Sequence, residues 1–253
     1  ADAALQDMLC NAAFGKGKVV IEDYLEGPEF SFMCFVNGEN VYPMPLSQDH
    51  KRAYDNDEGP NTGGMGAYTP LPFVTEEDEA FAKKYILEAV AKGMCAEGLP
   101  LTGVLYGGLM KTAQGVKVIE FNARFGDPET EVVLPLLESD AYDVFYGIAT
   151  GATLESLAWR NEATIGVVLA SKGYPGDYAK GAVIEGVELF DGPVFHMGTK
   201  RDNDVLKTNG GRVMMCIATG KDIATAQKKV YKEIEKIQCN NLFYRNDIAH
   251  WAL

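Results

Sequence analysis

Apolar and polar positions divide the chain into a first part of long alternating runs and a second part of shorter ones. The β-branched run 19–21 precedes an acidic pair and predicts a short buried strand. Residues 30–36 and 41–46 flank Asn37-Gly38-Glu39-Asn40 and predict a hairpin. Residues 47–72 are polar, with four glycines between Gly59 and Gly66 and prolines at 60, 70 and 72. That texture predicts a long loop, and loops of such length in compact domains are usually functional. Thr75-Glu76-Glu77-Asp78 opens a helix with Thr75 as N-cap and acids in the first turn. Apolar residues continue at helical spacing to Met94, and Gly98-Leu99-Pro100 stops them. Strands over 102–110 and 116–125 follow, turning near Gln114-Gly115. Asp127 as N-cap and Pro128 at the first helical position then predict a helical region closed by Gly151.

Beyond Asn161 short strands are expected at 164–170, 183–189, 205–208 and 212–218. A closing helix carries Ile223, Ala226, Val230, Ile234 and Ile237 on one core-facing stripe. The expected fold class is α+β: a mostly antiparallel sheet with helices over residues 1–155, then a smaller mixed α/β domain over 156–253.

Composition narrows the function classes. The 253 residues are 47% hydrophobic and 23% charged, an ordinary globular composition. The formal net charge of -13 disfavours nucleic acid and anionic membranes as partners. A phosphate site here needs local positive charge or a cation. The five cysteines form no C-x-x-C pair, which argues against a zinc site or disulfide framework and suits a reducing, cytoplasmic compartment. No apolar run approaches the roughly 20 residues that span a bilayer. The chain starts without Met, and residues 1–14 read as a helix already in progress, so the expectation is a chain beginning inside a longer protein.

The strand 116–125 carries the candidate chemistry. Alternation turns Ile119, Phe121, Ala123 and Phe125 towards a core and Glu120, Asn122 and Arg124 to the opposite face. A carboxylate and an amide oxygen are hard ligands suited to Mg²⁺, and a guanidinium fork suits phosphate. Alternation alone describes a sheet with one solvated face equally well. The helix start expected at Asp127-Pro128 adds free N–H groups beside the row. His50, between Asp49 and Lys51, reads either as a base or as part of a solvated polar loop; His196 and His250 read as structural.

Arg124-Phe125-Gly126-Asp127-Pro128-Glu129-Thr130-Glu131 closely resembles the signature of the phosphoribosylamine–glycine ligase family, also called glycinamide ribonucleotide synthetase. Ser47-Gln48-Asp49-His50-Lys51-Arg52, Gly59 through Tyr68, Gly173-Tyr174-Pro175-Gly176-Asp177-Tyr178 and Thr208-Asn209-Gly210-Gly211-Arg212-Val213 resemble further family motifs, in family order. The resemblance implies an ATP-grasp fold, with residues 1–155 as the later part of that domain. It also implies a ligase of purine synthesis that joins glycine to 5-phosphoribosylamine through a glycyl phosphate, using ATP with Mg²⁺ or Mn²⁺.

By the same resemblance Glu120 and Asn122 hold the metal, and Arg124 stabilises the transferred phosphoryl group. Asp127 and Glu129 meet the substrate amines. Glu22, Asp23 and Leu25 form the hinge that reads adenine, and Glu29 bonds the ribose hydroxyls. Asp49, Lys51, Arg52, Gly63 and Gly64 contact substrate, with Lys51 and Arg52 on its phosphate and the loop closing over the reacting groups. Tyr106 stands where ATP-grasp enzymes usually carry another metal ligand. The family's N-terminal domain and the small subdomain with its phosphate-contacting lysine have no counterpart here, which implies half an ATP cleft and an inactive isolated chain. The alternatives are a nucleotide-binding module without turnover, or an ATP-grasp ligase for another acid.

Overall fold

The computed structural model describes residues 2–11, 15 and 17–253. The expected N-terminal helix is present as α1 (Asp2–Leu5) and a π-helical turn over Gln6–Cys10. Ala1 and residues 12–14 of that expectation lie outside the described residues.

A four-stranded antiparallel sheet holds the first part together in the order β2-β1-β7-β8. Its members are β1 (Glu29–Asn37), β2 (Asn40–Pro43), β7 (Thr102–Thr112) and β8 (Gly115–Asn122). Asn37 pairs with Asn40, so Gly38-Glu39 form the two-residue turn expected from the hairpin motif, and Gly38 takes φ 58°. β1 is covered on both faces. Phe30, Phe32, Cys34 and Val36 face one core, which α2 (Glu76–Ala82), α3 (Glu88–Ala96) and the turn between them close with Ala82, Ala91 and Leu87. Met33 and Phe35 face a second core, shared with Val144 and Ile148 of α5 (Ala141–Thr150). Between α2 and α3 one π-turn, Lys83–Leu87, keeps a single continuous helix. Thr75 caps it as expected, with Asp78 returning the bond in a capping box.

Residues 47–72 depart from the loop expectation. They form β3 (Gln48–Asp49), β4 (Arg52–Tyr54), β5 (Glu58–Asn61) and β6 (Gly66–Thr69). β4 and β5 make an exposed ribbon, whereas β3 and β6 enter a six-stranded sheet of order β10-β13-β9-β6-β3. The rest of that sheet comes from the second part: β9 (Ala163–Ser171), β10 (Val194–His196), β13 (Arg212–Gly220) and β14 (Leu242–Phe243), which pairs with β9. The boundary expected near 155 therefore crosses a continuous ladder between β6 and β9. Ser31 and Ser47 exchange both backbone hydrogen bonds, at 2.7 and 3.1 Å, and join the two sheets beside Asp49.

Three other expectations need correction. The 19–21 run is no buried strand, because it has no ladder partner among the described residues and Val20 and Ile21 are 80% exposed. The stretch 183–189 holds only isolated bridges at Val183 and Glu185 and a 3₁₀ turn over Val187–Leu189. The helical region after Asp127 starts later and breaks. α4 (Thr130–Val133) is one turn, a 3₁₀ turn spans Leu134–Leu136, and α5 begins after its N-cap Asp140. Asp127 is thus not an N-cap, and the Asp127–Pro128 peptide is cis. β11 (Thr199–Asp202) and β12 (Val205–Thr208) pair as a separate ribbon, and α6 (Ile223–Ile234) covers the large sheet with the expected stripe. Among the described residues no helix is long and apolar enough to cross a membrane.

Candidate active site

The cleft forms where β1, β7 and β8 meet the segment 126–131 and the strand carrying Asp49. Its floor is decided by a bulge. β8 slips one register against β7 between Val118, opposite Leu109, and Glu120, opposite Gly108. The extra residue puts Ile119 on the cleft side with Glu120, so the expected core orientation of Ile119 is wrong. Phe121 is 41% exposed and Ala123 is exposed, so they do not enter a core either. Gly108, opposite Glu120, makes room for it, since a Cβ there would sit 3.1 Å from Glu120 Cγ.

Glu120 and Asn122 are brought together as the sequence predicts. Asn122 Nδ2 donates to Glu120 Oε1 at 3.2 Å, which leaves the amide oxygen and Oε2 free. Two adjacent hard oxygen donors beside a phosphate-sized cleft fit Mg²⁺, which takes its remaining ligands from water and phosphate. Among the described residues no group of three or more His, Cys, Asp or Glu is arranged to hold a metal. Arg124 lines the same cleft, exposed, with NH1 donating to the Phe125 carbonyl at 2.8 Å.

Glu129 is 3% exposed and lies behind the cleft floor. Its Oε1 accepts from Ser31 Oγ at 2.7 Å and from Tyr106 OH at 2.9 Å, and the two hydroxyls are 2.8 Å apart. Tyr106 is opposite Asn122 in the ladder, so the phenol and the amide share one face. Burial and the Glu129 carboxylate push the Tyr106 phenol well above its usual range.

Asp49, Lys51 and Glu29 form the other wall. Lys51 Nζ binds Glu29 Oε2 at 2.5 Å. Burial pulls the Lys51 pKa down, but Glu29, then Asp49 and Glu120, hold it above the ordinary value. Burial, then Glu129, raises the Asp49 carboxyl well above the usual carboxylate range, and its Oδ1 is shielded without a hydrogen-bond partner. Arg52 is not brought in. It points out from β4 and donates to the Gly59 carbonyl at 2.6 Å, as alternation requires of Lys51's neighbour.

Gly63 lines the cleft, and Gly64 is packed behind it. A Cβ on Gly64, at φ 112°, would fall 2.5 Å from Asp49 Oδ1 and closer still to the Pro128 ring. The Gly63 N–H donates to Tyr174 OH at 2.9 Å, and the Gly63 carbonyl accepts from Arg212 at 2.8 Å. Arg212 also holds Asp127 with both nitrogens, at 2.7 and 3.2 Å. Ser31, Tyr174 and Arg212 were not singled out as site residues. Arg212 and Tyr174 sit in recognised motifs, whereas Ser31 shows only as one polar residue in an apolar strand.

The cleft between these walls holds about 200 Å³. A second, of about 380 Å³, adjoins it, and Glu22, Asp23, Leu25 and Glu29 share that one with Met110, Lys117 and Ile119. His50 lies in neither. It is 2% exposed, its Nε2 accepts the Ala249 N–H at 2.9 Å, and burial lowers its pKa. Both readings of His50, base and solvated loop, give way to a neutral structural imidazole. His250 is structural as expected, 3.3 Å from Asp57.

The two sheets and their shared cleft define an ATP-grasp protein. Residues 1–130 match the family model "Phosphoribosylglycinamide synthetase, ATP-grasp (A) domain", and 164–251 match "Phosphoribosylglycinamide synthetase, C domain". The chain belongs to the phosphoribosylglycinamide synthetase family. The phosphoribosylamine–glycine ligase of Halalkalibacterium halodurans is 52% identical over 99% of this chain and 59% of its own length. The crystal structure of the Thermotoga maritima phosphoribosylamine–glycine ligase superposes with a TM-score of 0.86 at 37% identity, covering 93% of this chain and 59% of that one. A biotin carboxylase domain of a thermophilic 2-oxoglutarate carboxylase shares the fold, at TM-score 0.61 and 15% identity over 96% of this chain and 54% of its own. The chain thus spans about three fifths of the length of the ligases it matches.

Proposed function

We propose that the whole protein is a phosphoribosylamine–glycine ligase. One observation carries the reading: the Glu29–Lys51 pair joins the two clefts, so the residues assigned to the nucleoside and those assigned to phosphate and metal line one continuous face. ATP lies along that face, with its base against Glu22, Asp23 and Leu25 and its ribose by Glu29. Glu120 and Asn122 hold Mg²⁺ or Mn²⁺, which offsets phosphate charge when bound. Lys51 and Arg124 supply the positive charge that an acidic chain otherwise lacks.

A glycine carboxylate oxygen attacks the γ-phosphorus: the new O–P bond forms, the bridging O–P bond to the β-phosphate breaks, and its electron pair leaves with ADP. The amine of 5-phosphoribosylamine then attacks the acyl carbon. The N–C bond forms, the C–O bond to phosphate breaks, its electron pair leaves with phosphate, and the proton lost by the amine is taken up by the departing phosphate. Asp127 and Glu129 face the amines, and Ser31 and Tyr106 fix Glu129. Gly63 brings backbone close over the reacting groups, so that water is kept from the acyl phosphate. The part of the relatives' length that this chain does not match is proposed to supply the opposite wall of the nucleotide cleft. The proposed compartment is the cytoplasm. ADP release by the whole protein, with Mg-ATP, 5-phosphoribosylamine and a panel of amino acids, tests the reading. Glycine is expected to be the active acid; turnover with another acid and none with glycine overturns it.

A further inference from the structure

Two motifs of the second part, Gly173 to Tyr178 and Thr208 to Val213, interlock in the fold. Ser171, the last residue of β9, donates its N–H to the Gly211 carbonyl at 2.7 Å and its Oγ to the Gly210 carbonyl at 2.8 Å. The Tyr174 N–H donates to the Ser171 carbonyl at 3.0 Å. A Cβ on Gly211 would overlap the Tyr174 ring, so the absent side chain is what seats the phenol. From that seat Tyr174 OH accepts the Gly63 N–H at 2.9 Å, while Arg212 donates to the Gly63 carbonyl at 2.8 Å.

These two bonds fix the peptide planes on either side of Gly63, and with them both of its backbone dihedrals. A glycine without such partners samples more backbone conformations than any other residue. A larger residue would press on the clamp, since a Cβ on Gly63 would sit 3.0 Å from Arg212 Cζ. The first part of the chain braces the same turn from the other side. Thr62 Oγ1 donates to the Lys51 carbonyl at 2.9 Å and accepts the Gly64 N–H at 3.0 Å. Gly63 lines the cleft, yet its one N–H hydrogen is taken by Tyr174 and is not offered to water there.

We propose that Tyr174 is a positioning residue whose hydroxyl holds the Gly63 turn closed over the cleft, and so couples phosphoryl transfer to amide formation. The coupling role rests on the ligase reading; the hold on Gly63 does not. An acyl phosphate that meets water before the amine is lost. The water oxygen bonds the acyl carbon, the C–O bond to phosphate breaks, its electron pair leaves with phosphate, one water proton goes with it, and glycine is returned. A loosened turn admits such a water, and a freed Gly63 N–H donates to its oxygen. Tyr174→Phe keeps the ring on Gly211 and removes only the acceptor.

The test compares the whole protein with its Tyr174→Phe variant, both isotope-labelled at glycine nitrogen. Amide hydrogen exchange read by NMR is expected to speed roughly tenfold at Gly63, the worth of one hydrogen bond. It is expected to stay level at Gly64 and Gly126, whose N–H groups have other acceptors. With Mg-ATP and glycine but no 5-phosphoribosylamine, ADP release is expected to rise several-fold in the variant. With all substrates present, the variant is expected to release more ADP than it makes amide. Unchanged exchange at Gly63 overturns the hold, as does an equal rise at all three glycines, which is general loosening. Faster exchange at Gly63 alone, with ADP and amide still equal, overturns the coupling role. A parent that makes no amide from glycine overturns the ligase reading and the coupling role with it, while the Gly63 exchange still decides the hold.

Discussion

Gly64 and Glu131 show how closely single residues in the cleft are constrained. At Gly64 both the backbone, at φ 112°, and the neighbouring Pro128 and Asp49 exclude a side chain. Gly64→Ala is expected to cost at least about 2 kcal/mol in denaturant unfolding, from strain and displacement together. A loss within experimental error would contradict the packing described. Glu131 carries a pH dependence. Burial, then the Asp127 carboxylate, raises its pKa from 4.5 to about 7, and its Oε2 is shielded without a partner. Below pH 4.5 the group is protonated in both the folded and unfolded states. As pH rises through the folded value the unfolded state is the more ionised, so stability falls, by about 3 kcal/mol once pH is well above 7. Glu131→Gln removes that loss. Chemical unfolding is expected to find the variant about level with the parent at pH 4.5 and more stable at pH 8. The reverse order would rule out the assigned shift.

Secondary elements were legible in the sequence wherever local chemistry decides them. The Asn37 to Asn40 turn, the Thr75 cap, the strand at 205–208 and the stripe of the last helix all rest on neighbours within a few residues. Thr75→Ala is expected to cost about 1 kcal/mol, read from the thermal midpoint, because it removes the hydroxyl that accepts from the Asp78 N–H and leaves only the backbone half of the capping box. A neutral result would make the box incidental. Elements set by distant partners were not legible. β3 and β6 are short and lie among glycines, prolines and polar residues, so nothing local announces that β6 ladders onto a strand about a hundred residues away with β3 along its other edge. The β8 bulge reassigns Ile119 through a register slip against β7, which alternation cannot reveal. The 19–21 run has the residues of a strand but no partner among those described. Of the site, Glu120, Asn122 and Arg124 were placed on one face by type and spacing, whereas Asp127 read locally as an N-cap and entered the site only through the family resemblance. Ser31 and Arg212 reach the cleft only through tertiary pairing.

Across the whole molecule the two parts are tied by the β6–β9 ladder and by a buried cation. Arg245, with no exposed surface, bonds Asp57 at 2.9 Å, Asp247 at 2.7 Å and the Arg52 carbonyl at 3.1 Å. It thereby pins the C-terminal segment to the strand that follows Lys51. Arg245→Ala removes the buried cation that Asp57 and Asp247 share, and about 3–5 kcal/mol of unfolding free energy is expected to be lost. A loss below 1 kcal/mol would show that the network is dispensable. The ligase reading proposes that Glu120, on the face that the Glu29–Lys51 pair makes continuous, helps to hold the metal beside the ATP phosphates. The most direct test is the Mg²⁺- and glycine-dependent release of ADP by the whole protein carrying Glu120→Ala, with folding checked by circular dichroism. The account predicts a folded variant whose turnover falls by at least about a hundredfold. Undiminished turnover in that variant would contradict it.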